Sequence, residues 1–277
     1  MKTVLFCGGF GTRLREYSET IPKPLAPVGD RPILWHLMRY YAHYGHEAFI
    51  LCLGYRGQMI KEFFLSYNDA LSNDFTLTDG GARLQLHGED IQSWRITFVD
   101  TGLAANIGQR LLQVRDWVAD DDMFLANYSD GLCDLPLDSY IERFRQSDAV
   151  ACFVSVRPSH SLSAVHADAD GRVTDIGYLS SAIRINGGFF IFRRAIFNYI
   201  REGEELVEEP FARLIAEKRL LSLPYDGFWQ AMDTYKDKKR FDTLHESDQR
   251  PWEVWRHAPV RNARALSLVA SEVAQRS

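Results

Sequence analysis

The sequence predicts an α/β fold built on a doubly wound, mostly parallel mixed sheet. Short apolar runs alternate with helical patterns through the first half of the chain, which is typical of parallel strands linked by helices. Strand patterns become denser in the second half, which predicts a small β-rich insertion. Helical spacing returns near the end, which predicts a C-terminal helical extension.

In the first half, the predicted strands and helices follow one another at short intervals. Residues 3–7 form the first predicted strand and residues 48–53 the second. Between them, residues 33–44 carry apolar side chains at helical spacing, and Gly45 suits a helix stop. An amphipathic helix follows Gly54. The remaining expectations are strands at 95–99 and 123–128 and a helix at 108–118.

The second half supplies the insertion and the extension. Strand patterns occupy residues 149–156, 172–178 and 187–192. Helices are expected at 208–217 and 236–246. No low-complexity linker divides the chain, so we expect one domain over 1–255 and a C-terminal tail over 256–277.

Composition narrows the function classes. Of the 277 residues, 46% are hydrophobic and 25% charged, as in ordinary globular proteins, and the net charge of −5 argues against a nucleic-acid partner. The apolar start is too short for a secretory signal, and no stretch is long enough for a membrane helix, so we expect a cytoplasmic protein without a membrane partner. Separate cysteines without a CxxC pair argue against a zinc site and suit a reducing compartment. They are Cys7, Cys52, Cys133 and Cys152.

A glycine-rich loop follows the first predicted strand. It reads Gly8-Gly9-Phe10-Gly11-Thr12-Arg13-Leu14. Glycines let backbone N–H groups approach phosphate oxygens, and an arginine adds a charged donor for a polyphosphate. The loop lacks the Gly-Lys-Ser/Thr of a Walker motif and the third glycine of a dinucleotide fingerprint. The alternative interpretation is a turn that only connects two elements.

Lys23 lies between two prolines shortly after this loop, in Ile21-Pro22-Lys23-Pro24-Leu25. The prolines predict an extended, stiff backbone that does not continue into a helix. A lysine held this way is a candidate phosphate contact, whereas a lone lysine is more often a solvated surface charge.

The glycine loop, the lysine between prolines and Pro32-Ile33-Leu34 at a helix start together resemble the N-terminal signature of sugar-1-phosphate nucleotidylyltransferases. The resemblance continues along nearly the whole chain and is nearest to the glucose-1-phosphate cytidylyltransferases. Further shared stretches are Ile33-Leu34-Trp35-His36, Gly54-Tyr55-Arg56-Gly57, Val99-Asp100-Thr101-Gly102, Tyr128-Ser129-Asp130-Gly131, Ile185-Asn186-Gly187-Gly188-Phe189-Phe190, Gly227-Phe228-Trp229 and Met232-Asp233-Thr234.

This resemblance implies a Rossmann-like nucleotidylyltransferase fold and an activated-sugar synthesis of the kind that feeds polysaccharide biosynthesis. It implies CTP and glucose-1-phosphate as substrates and Mg²⁺ as cofactor. Another base (dTTP, UTP or GTP) or a modified sugar stays open, because base choice depends on pocket shape. The resemblance also implies that the chain can form a homo-oligomer.

Two aspartates are the candidate metal ligands. Asp130 directly follows the predicted strand 123–128, where ligands bind in open α/β sheets, and Gly131 beside it allows close approach. Asp233 follows a strand-like run much later in the chain. Mg²⁺ is commonly held by one or two carboxylates together with substrate phosphates. The resemblance implies that both aspartates hold the metal; the alternative is a helix cap or turn former.

The resemblance also implies the substrate contacts. Gly8, Gly9, Gly11 and Thr12 would hold the nucleotide phosphates, with Arg13 on the leaving pyrophosphate and Lys23 at the reacting phosphates. Thr101 and Gly102 would lie near the base and Arg110 near the triphosphate, although Arg110 also suits a surface helix position. The sugar candidates are Asn186, Gly187 and Glu209, and a glutamate at a helix start can instead complement the helix dipole.

The chain departs from the resemblance at one place. Many relatives have a Glu-Lys-Pro step before the Asn-Gly-Gly, and its lysine meets the sugar phosphate. Here the region reads Asp175-Ile176-Gly177-Tyr178-Leu179. Either Arg184, the nearest basic residue, supplies the charge, or catalysis has been lost or retuned. We expect an active enzyme in which a sugar-phosphate oxygen attacks the α-phosphorus in line.

Three other classes compete with this reading. A nucleotide-sugar glycosyltransferase would use an Asp-x-Asp metal step, whose spacing Asp168-Ala169-Asp170 has, although the following Gly171 suits a turn. A non-catalytic, nucleotide-sugar-binding regulatory subunit would explain the missing lysine. A dehydrogenase is disfavoured by the incomplete glycine fingerprint.

Overall fold

An eight-stranded mixed sheet organises the computed structural model, which describes residues 1–9, 21–88, 90–158, 163–178 and 183–256. The strands, in chain order, are β1 (Lys2–Phe6), β2 (Pro27–Val28), β3 (Arg31–Pro32), β4 (Ala48–Leu53), β5 (Phe75–Thr78), β6 (Arg83–Leu86), β7 (Arg95–Asp100), β8 (Met123–Tyr128), β9 (Gly131–Cys133), β10 (Ala151–Val156), β11 (Ser163–Ala167), β12 (Val173–Tyr178), β13 (Ile185–Asn186), β14 (Phe190–Arg193), β15 (Leu220–Tyr225) and β16 (Trp229–Ala231). The α-helices are α1 (Ile33–His43), α2 (Gly57–Leu65), α3 (Ile107–Gln113), α4 (Leu137–Arg145), α5 (Glu209–Ala216) and α6 (Tyr235–Glu246).

The main sheet has the order β13-β10-β14-β8-β1-β4-β7, and β15 pairs with β10. Strands β8, β1, β4 and β7 are mutually parallel neighbours. Strand β14 runs antiparallel to both β8 and β10, and β15 runs parallel to β10. The predicted mostly parallel, mixed sheet is therefore confirmed.

Helices cover both faces of this sheet. Along β1, Leu5 packs into one hydrophobic cluster, whereas Val4 and Phe6 pack into the other, because successive side chains of a strand point to opposite faces. The first cluster includes the apolar residues of α1 and α4, and the second includes those of α3 and α5. Burial on both faces explains why β1 and β4 are nearly continuous apolar runs.

The small β elements differ in how well they were anticipated. Hairpin β11–β12 is the expected β-rich insertion, but hairpin β5–β6 was not predicted. In the turn of hairpin β11–β12, the Asp168 carboxylate accepts hydrogen bonds from the N–H groups of Asp170 (3.0 Å) and Arg172 (2.9 Å). The Asp-x-Asp step is therefore a turn, as Gly171 indicated.

Other expectations need adjustment. The extended backbone expected at the two prolines is wrong over Lys23–Leu25, which form a 3₁₀ turn, because the φ angle that proline fixes also suits the first turn of a helix. The helix predicted at 108–118 is the shorter α3 followed by a 3₁₀ turn over Arg115–Val118. The final helix, α6, is confirmed.

The described chain continues past α6 to a 3₁₀ turn over Val254–Arg256, and the predicted tail beyond that turn lies outside the described residues. None of the helices in the described part of the chain is both long and apolar enough to cross a membrane.

Candidate active site

A cavity of about 470 Å³ opens at the carboxyl edge of the parallel strands. Cys7 and Gly9 line it just after β1, and Ser129 and Asp130 line it just after β8. Ligands of open α/β sheets bind outside the carboxyl ends of the strands, so the cavity lies where the fold favours a site.

A two-stranded antiparallel ribbon brings the two candidate metal ligands to the same place. Strand β9 begins directly after Asp130, and β16 ends two residues before Asp233. The two strands pair with Gly131 opposite Ala231, and the Met232 N–H donates to the Asp130 carbonyl at 2.8 Å. Both carboxylates line the cavity as a result.

The backbone of Asp233 is held by the start of α6. Thr234 and Asp237 form a capping box. The Asp237 carboxylate accepts hydrogen bonds from the N–H groups of Asp233 (3.2 Å) and Thr234 (2.8 Å). Asp237 therefore has a structural part in the site, because it holds the backbone of Asp233.

Lys23 connects the two aspartates. Its Nζ lies 2.5 Å from Asp130 Oδ2 and 2.8 Å from Asp233 Oδ1, and its side chain is only 14% exposed. Burial alone lowers the pKa of Lys23, but the charges of Asp130 and Asp233 and their hydrogen bonds outweigh it, and the net change is upward. The lysine is therefore a fixed ammonium ion in the floor of the cavity.

The donor set fits a magnesium ion. Two carboxylate oxygens converge on one cation-sized position, which the Lys23 ammonium marks. No cluster of three or more histidine, cysteine, aspartate or glutamate side chains suited to a metal occurs among the described residues. The two carboxylates suit Mg²⁺, which takes few protein carboxylates and completes its shell with water and substrate phosphates. The metal itself stays a prediction.

Arg110 lies against Gly8, the first residue of the glycine-rich stretch, with 2% of its surface exposed. Its guanidinium donates to the Gly8 carbonyl (3.0 Å), the Leu53 carbonyl (3.0 Å) and the Thr101 hydroxyl (2.6 Å). Thr101 in turn donates to the Leu53 carbonyl at 2.7 Å. These bonds tie together the ends of β1, β4 and β7. The nucleotide contacts predicted for Arg110 and Thr101 stay predictions.

The lining of the cavity also includes Asn186, Gly187 and Trp229. The Asn186 side-chain oxygen accepts from the Gly188 N–H at 2.9 Å, and Trp229 Nε1 donates to the Gly187 carbonyl at 2.8 Å. Trp229 packs against the hydrophobic core as a partly buried side chain and also lines the cavity. Its neighbours in the sequence, a Gly-Phe before it and the Met-Asp-Thr after it, were the available signal.

Six of the predicted residues that the structure describes are not part of the cavity lining: Gly8, Thr101, Gly102, Arg110, Arg184 and Glu209. Arg184 donates to the carbonyls of Ser155 (3.0 Å) and Tyr225 (3.2 Å) and pairs with Asp226 at 2.7 Å. Glu209 is exposed at the start of α5. Their catalytic and sugar-binding roles are untested predictions.

Several loop predictions have partial outcomes. Gly9 lines the cavity, whereas Gly11, Thr12 and Arg13 lie outside the described residues. Gly102 has a φ of 82°, and its N–H donates to the Asp100 carboxylate at 3.0 Å. The predicted contact of Gly102 with the base is not tested by this arrangement.

Sequence reasoning gave no role to two residues that line the cavity, Asn127 in β8 and Ser129 just after it. Ser129 donates to the Phe6 carbonyl at 2.8 Å and so joins the ends of β8 and β1. The Asn127 side-chain oxygen accepts from the Phe189 N–H at 2.9 Å. Both precede the shared Asp-Gly step, which was the only signal for them.

Comparison with known proteins decides the family. The family model described as nucleotidyl transferase matches residues 2–234. The chain belongs to the nucleotidyl transferase family. A protein of Bacillus subtilis (strain 168) named "Probable glucose-1-phosphate cytidylyltransferase" is 37% identical over 257 residues, covering 92% of this chain and 100% of that protein. The glucose-1-phosphate cytidylyltransferase of Salmonella typhi is 35% identical over 258 residues, covering 92% and 100%.

Solved structures support the fold of the family. UDP-glucose pyrophosphorylase complexed with UDP-glucose superimposes with a TM-score of 0.66 at 14% identity, covering 89% of this chain and 98% of that one. At this identity the likeness concerns the fold alone. Membership of the family confirms the resemblance found in the sequence and makes the chain a nucleotidyltransferase, which sets aside the dehydrogenase and glycosyltransferase alternatives.

Proposed function

We propose that this chain transfers a cytidylyl group from CTP to glucose-1-phosphate with Mg²⁺, giving CDP-glucose and pyrophosphate. The observation that carries the proposal is the Lys23 ammonium bound between Asp130 and Asp233, at the carboxyl edge of the sheet. Relatives of 35–37% identity named glucose-1-phosphate cytidylyltransferase support the choice of base and sugar.

The reaction is a single in-line displacement. An oxygen of the sugar phosphate attacks the α-phosphorus of CTP, the bond between the α-phosphorus and its bridging oxygen breaks, and pyrophosphate leaves with that oxygen. Phosphoryl and nucleotidyl transfers need positioning and charge neutralisation more than covalent help from the protein. No protein nucleophile is involved.

The residues of this chain supply those two needs. Backbone N–H groups of the glycine loop hold the phosphates, and Arg110 keeps the Gly8 end of that loop in place from below. Lys23 lies between the two aspartates in the cavity and would turn its ammonium charge to the reacting phosphates when Mg²⁺ takes the carboxylates. Asp130 and Asp233 would hold Mg²⁺, which supplies charge neutralisation between the reactants.

The missing Glu-Lys-Pro lysine bears on this proposal directly. Arg184 is engaged with Asp226, so it would have to leave this carboxylate in order to meet a sugar phosphate. Replacing Arg184 with alanine lowers turnover sharply if it supplies the missing charge. An unchanged rate in this variant would rule out the direct role.

A pyrophosphate-release assay tests the proposed function. Purified protein with Mg²⁺ is given CTP, UTP, GTP, ATP or dTTP, each with a panel of sugar-1-phosphates, and EDTA is added in parallel. We expect release with CTP and glucose-1-phosphate and none with EDTA. Release with another pair would correct the specificity. Folded protein that binds a nucleotide sugar but releases no pyrophosphate with any pair would overturn the catalytic proposal in favour of a regulatory subunit.

Carboxylate variants test the site itself. Asp130→Asn and Asp233→Asn each remove one anionic ligand, so we expect kcat to fall by about a hundredfold or more. The Mg²⁺ concentration needed for half-maximal activity should rise. Asp122→Asn is the matched control, because that side chain is 97% exposed and its carboxylate lies 4.0 Å from Arg194. Wild-type turnover in Asp130→Asn would contradict the role of Asp130 as a metal ligand.

A further inference from the structure

The cavity has two halves, which the strand order separates. In the sheet, β8 lies between β1 and β14. The loop after β1 therefore lies on one side of Asp130, and Asn186 and Gly187, which precede β14, lie on the other. If the glycine loop holds the nucleotide, as the proposed function requires, the second half receives the sugar phosphate.

Trp229 forms a wall of this second half. Its side chain is half-buried and lines the cavity together with Asn186 and Gly187. Strand pairing places it opposite Cys133, and its indole N–H is bound to the Gly187 carbonyl at 2.8 Å. Gly187 is itself fixed, because its N–H donates to the Val154 carbonyl at 2.8 Å. The indole N–H is therefore bound to a carbonyl that is itself held in place.

The segment before Trp229 is also held firmly. The Asp134 carboxylate accepts from the Phe228 N–H at 2.8 Å and from the Tyr225 hydroxyl. Arg184 binds Asp226 in the same segment. An aromatic ring that is ordered before substrate arrives loses little conformational entropy on binding. These bonds hold the backbone that leads into Trp229.

We propose that Trp229 is the platform on which the sugar ring of the acceptor packs, and that it selects a pyranose 1-phosphate. A pyranose has faces of C–H groups that suit contact with an indole ring, while its rim of hydroxyl groups suits amide partners such as Asn186. The phosphate of the same molecule then points toward Lys23 at the centre of the cavity. A smaller phosphate lacking a ring gains nothing from this wall.

Steady-state kinetics with both substrates varied test the platform. Trp229→Leu removes the ring and Trp229→Phe keeps a smaller one. The KM for hexose-1-phosphate should rise by roughly tenfold in Trp229→Leu and by about threefold in Trp229→Phe, as expected for loss of an aromatic contact. The KM for the nucleotide should stay within about twofold in both, since Trp229 lies in the other half of the cavity.

The control is Trp117→Leu, whose ring is 51% exposed and lies near Lys2 at the amino end of β1, away from the cavity. It should leave both KM values unchanged. Equal KM values for hexose-1-phosphate in wild type and Trp229→Leu would overturn the platform. A parallel rise in both KM values would reduce Trp229 to a general structural role and overturn it as well.

Tryptophan fluorescence separates this inference from the proposed function. Titration with glucose-1-phosphate should change the emission of the wild type and of Trp117→Leu, but not that of Trp229→Phe. This readout needs no turnover. Absence of pyrophosphate release together with this pattern would defeat the proposed reaction and retain the platform. An emission change that persists in Trp229→Phe would overturn the platform even in an active enzyme.

Discussion

Alanine at Gly8 should disrupt the support beneath the glycine loop. A Cβ built on Gly8 would lie 2.1 Å from Nη1 and 2.2 Å from Cζ of Arg110. Because the guanidinium is 2% exposed and donates to Gly8, Leu53 and Thr101, it cannot move aside without losing hydrogen bonds. Loss of one bond from a charged group costs about 1.5–3 kcal/mol. Overpacking adds about 1–3 kcal/mol.

We therefore expect Gly8→Ala to lower the free energy of unfolding by roughly 3–6 kcal/mol. Urea unfolding followed by circular dichroism measures this change. Gly9→Ala is the matched control for stability, because a Cβ there meets no atom of the described residues within 4 Å. It should unfold within about 0.5 kcal/mol of the wild type.

A double mutant makes the explanation specific. Arg110→Ala is destabilising by itself, but it empties the space that the alanine at position 8 would enter. The double variant Gly8→Ala/Arg110→Ala should therefore be less destabilised than the two single variants together, with a coupling energy of at least about 1 kcal/mol. Wild-type stability of Gly8→Ala, or strict additivity in the double variant, would refute the reasoning.

Two further predictions concern Asp237 and His36. Asp237→Ala removes the acceptor of the Asp233 and Thr234 N–H groups, so the free energy of unfolding should fall by about 1–2 kcal/mol. The kcat should also fall, because Asp233 is displaced. An unchanged kcat would contradict this prediction. Burial lowers the pKa of His36 from 6.5 to about 3, so the unfolded chain binds a proton there that the folded chain does not. The stability that neutral His36 contributes is complete above pH 6.5 and is lost on acidification toward pH 3, at up to about 1.4 kcal/mol per pH unit. His36→Gln should therefore flatten the curve of unfolding free energy against pH. An unchanged slope in this variant would contradict the prediction.

The sequence anticipated those parts of the fold that depend on neighbours along the chain. The alternation of apolar runs and helical patterns predicted the doubly wound sheet, because side-chain periodicity reports which face of each element is buried. The glycine loop, the lysine between prolines and Asp130 at a strand end indicated the family, which the comparisons confirmed. Each of these signals occupies a few adjacent residues.

Tertiary structure decided what depends on distant residues meeting. Lys23 and Asp233 are 210 positions apart, yet their side chains meet at 2.8 Å, and the β9–β16 ribbon places Asp233 beside Asp130. Arg110 resembles a helix-surface arginine in the sequence, yet packing places it beneath the loop after β1. In the sequence Trp229 resembles a core aromatic, yet in the structure it lines the cavity, where its indole N–H binds the Gly187 carbonyl. Periodicity shows that a residue is buried, but the path of the loops determines against what it is buried.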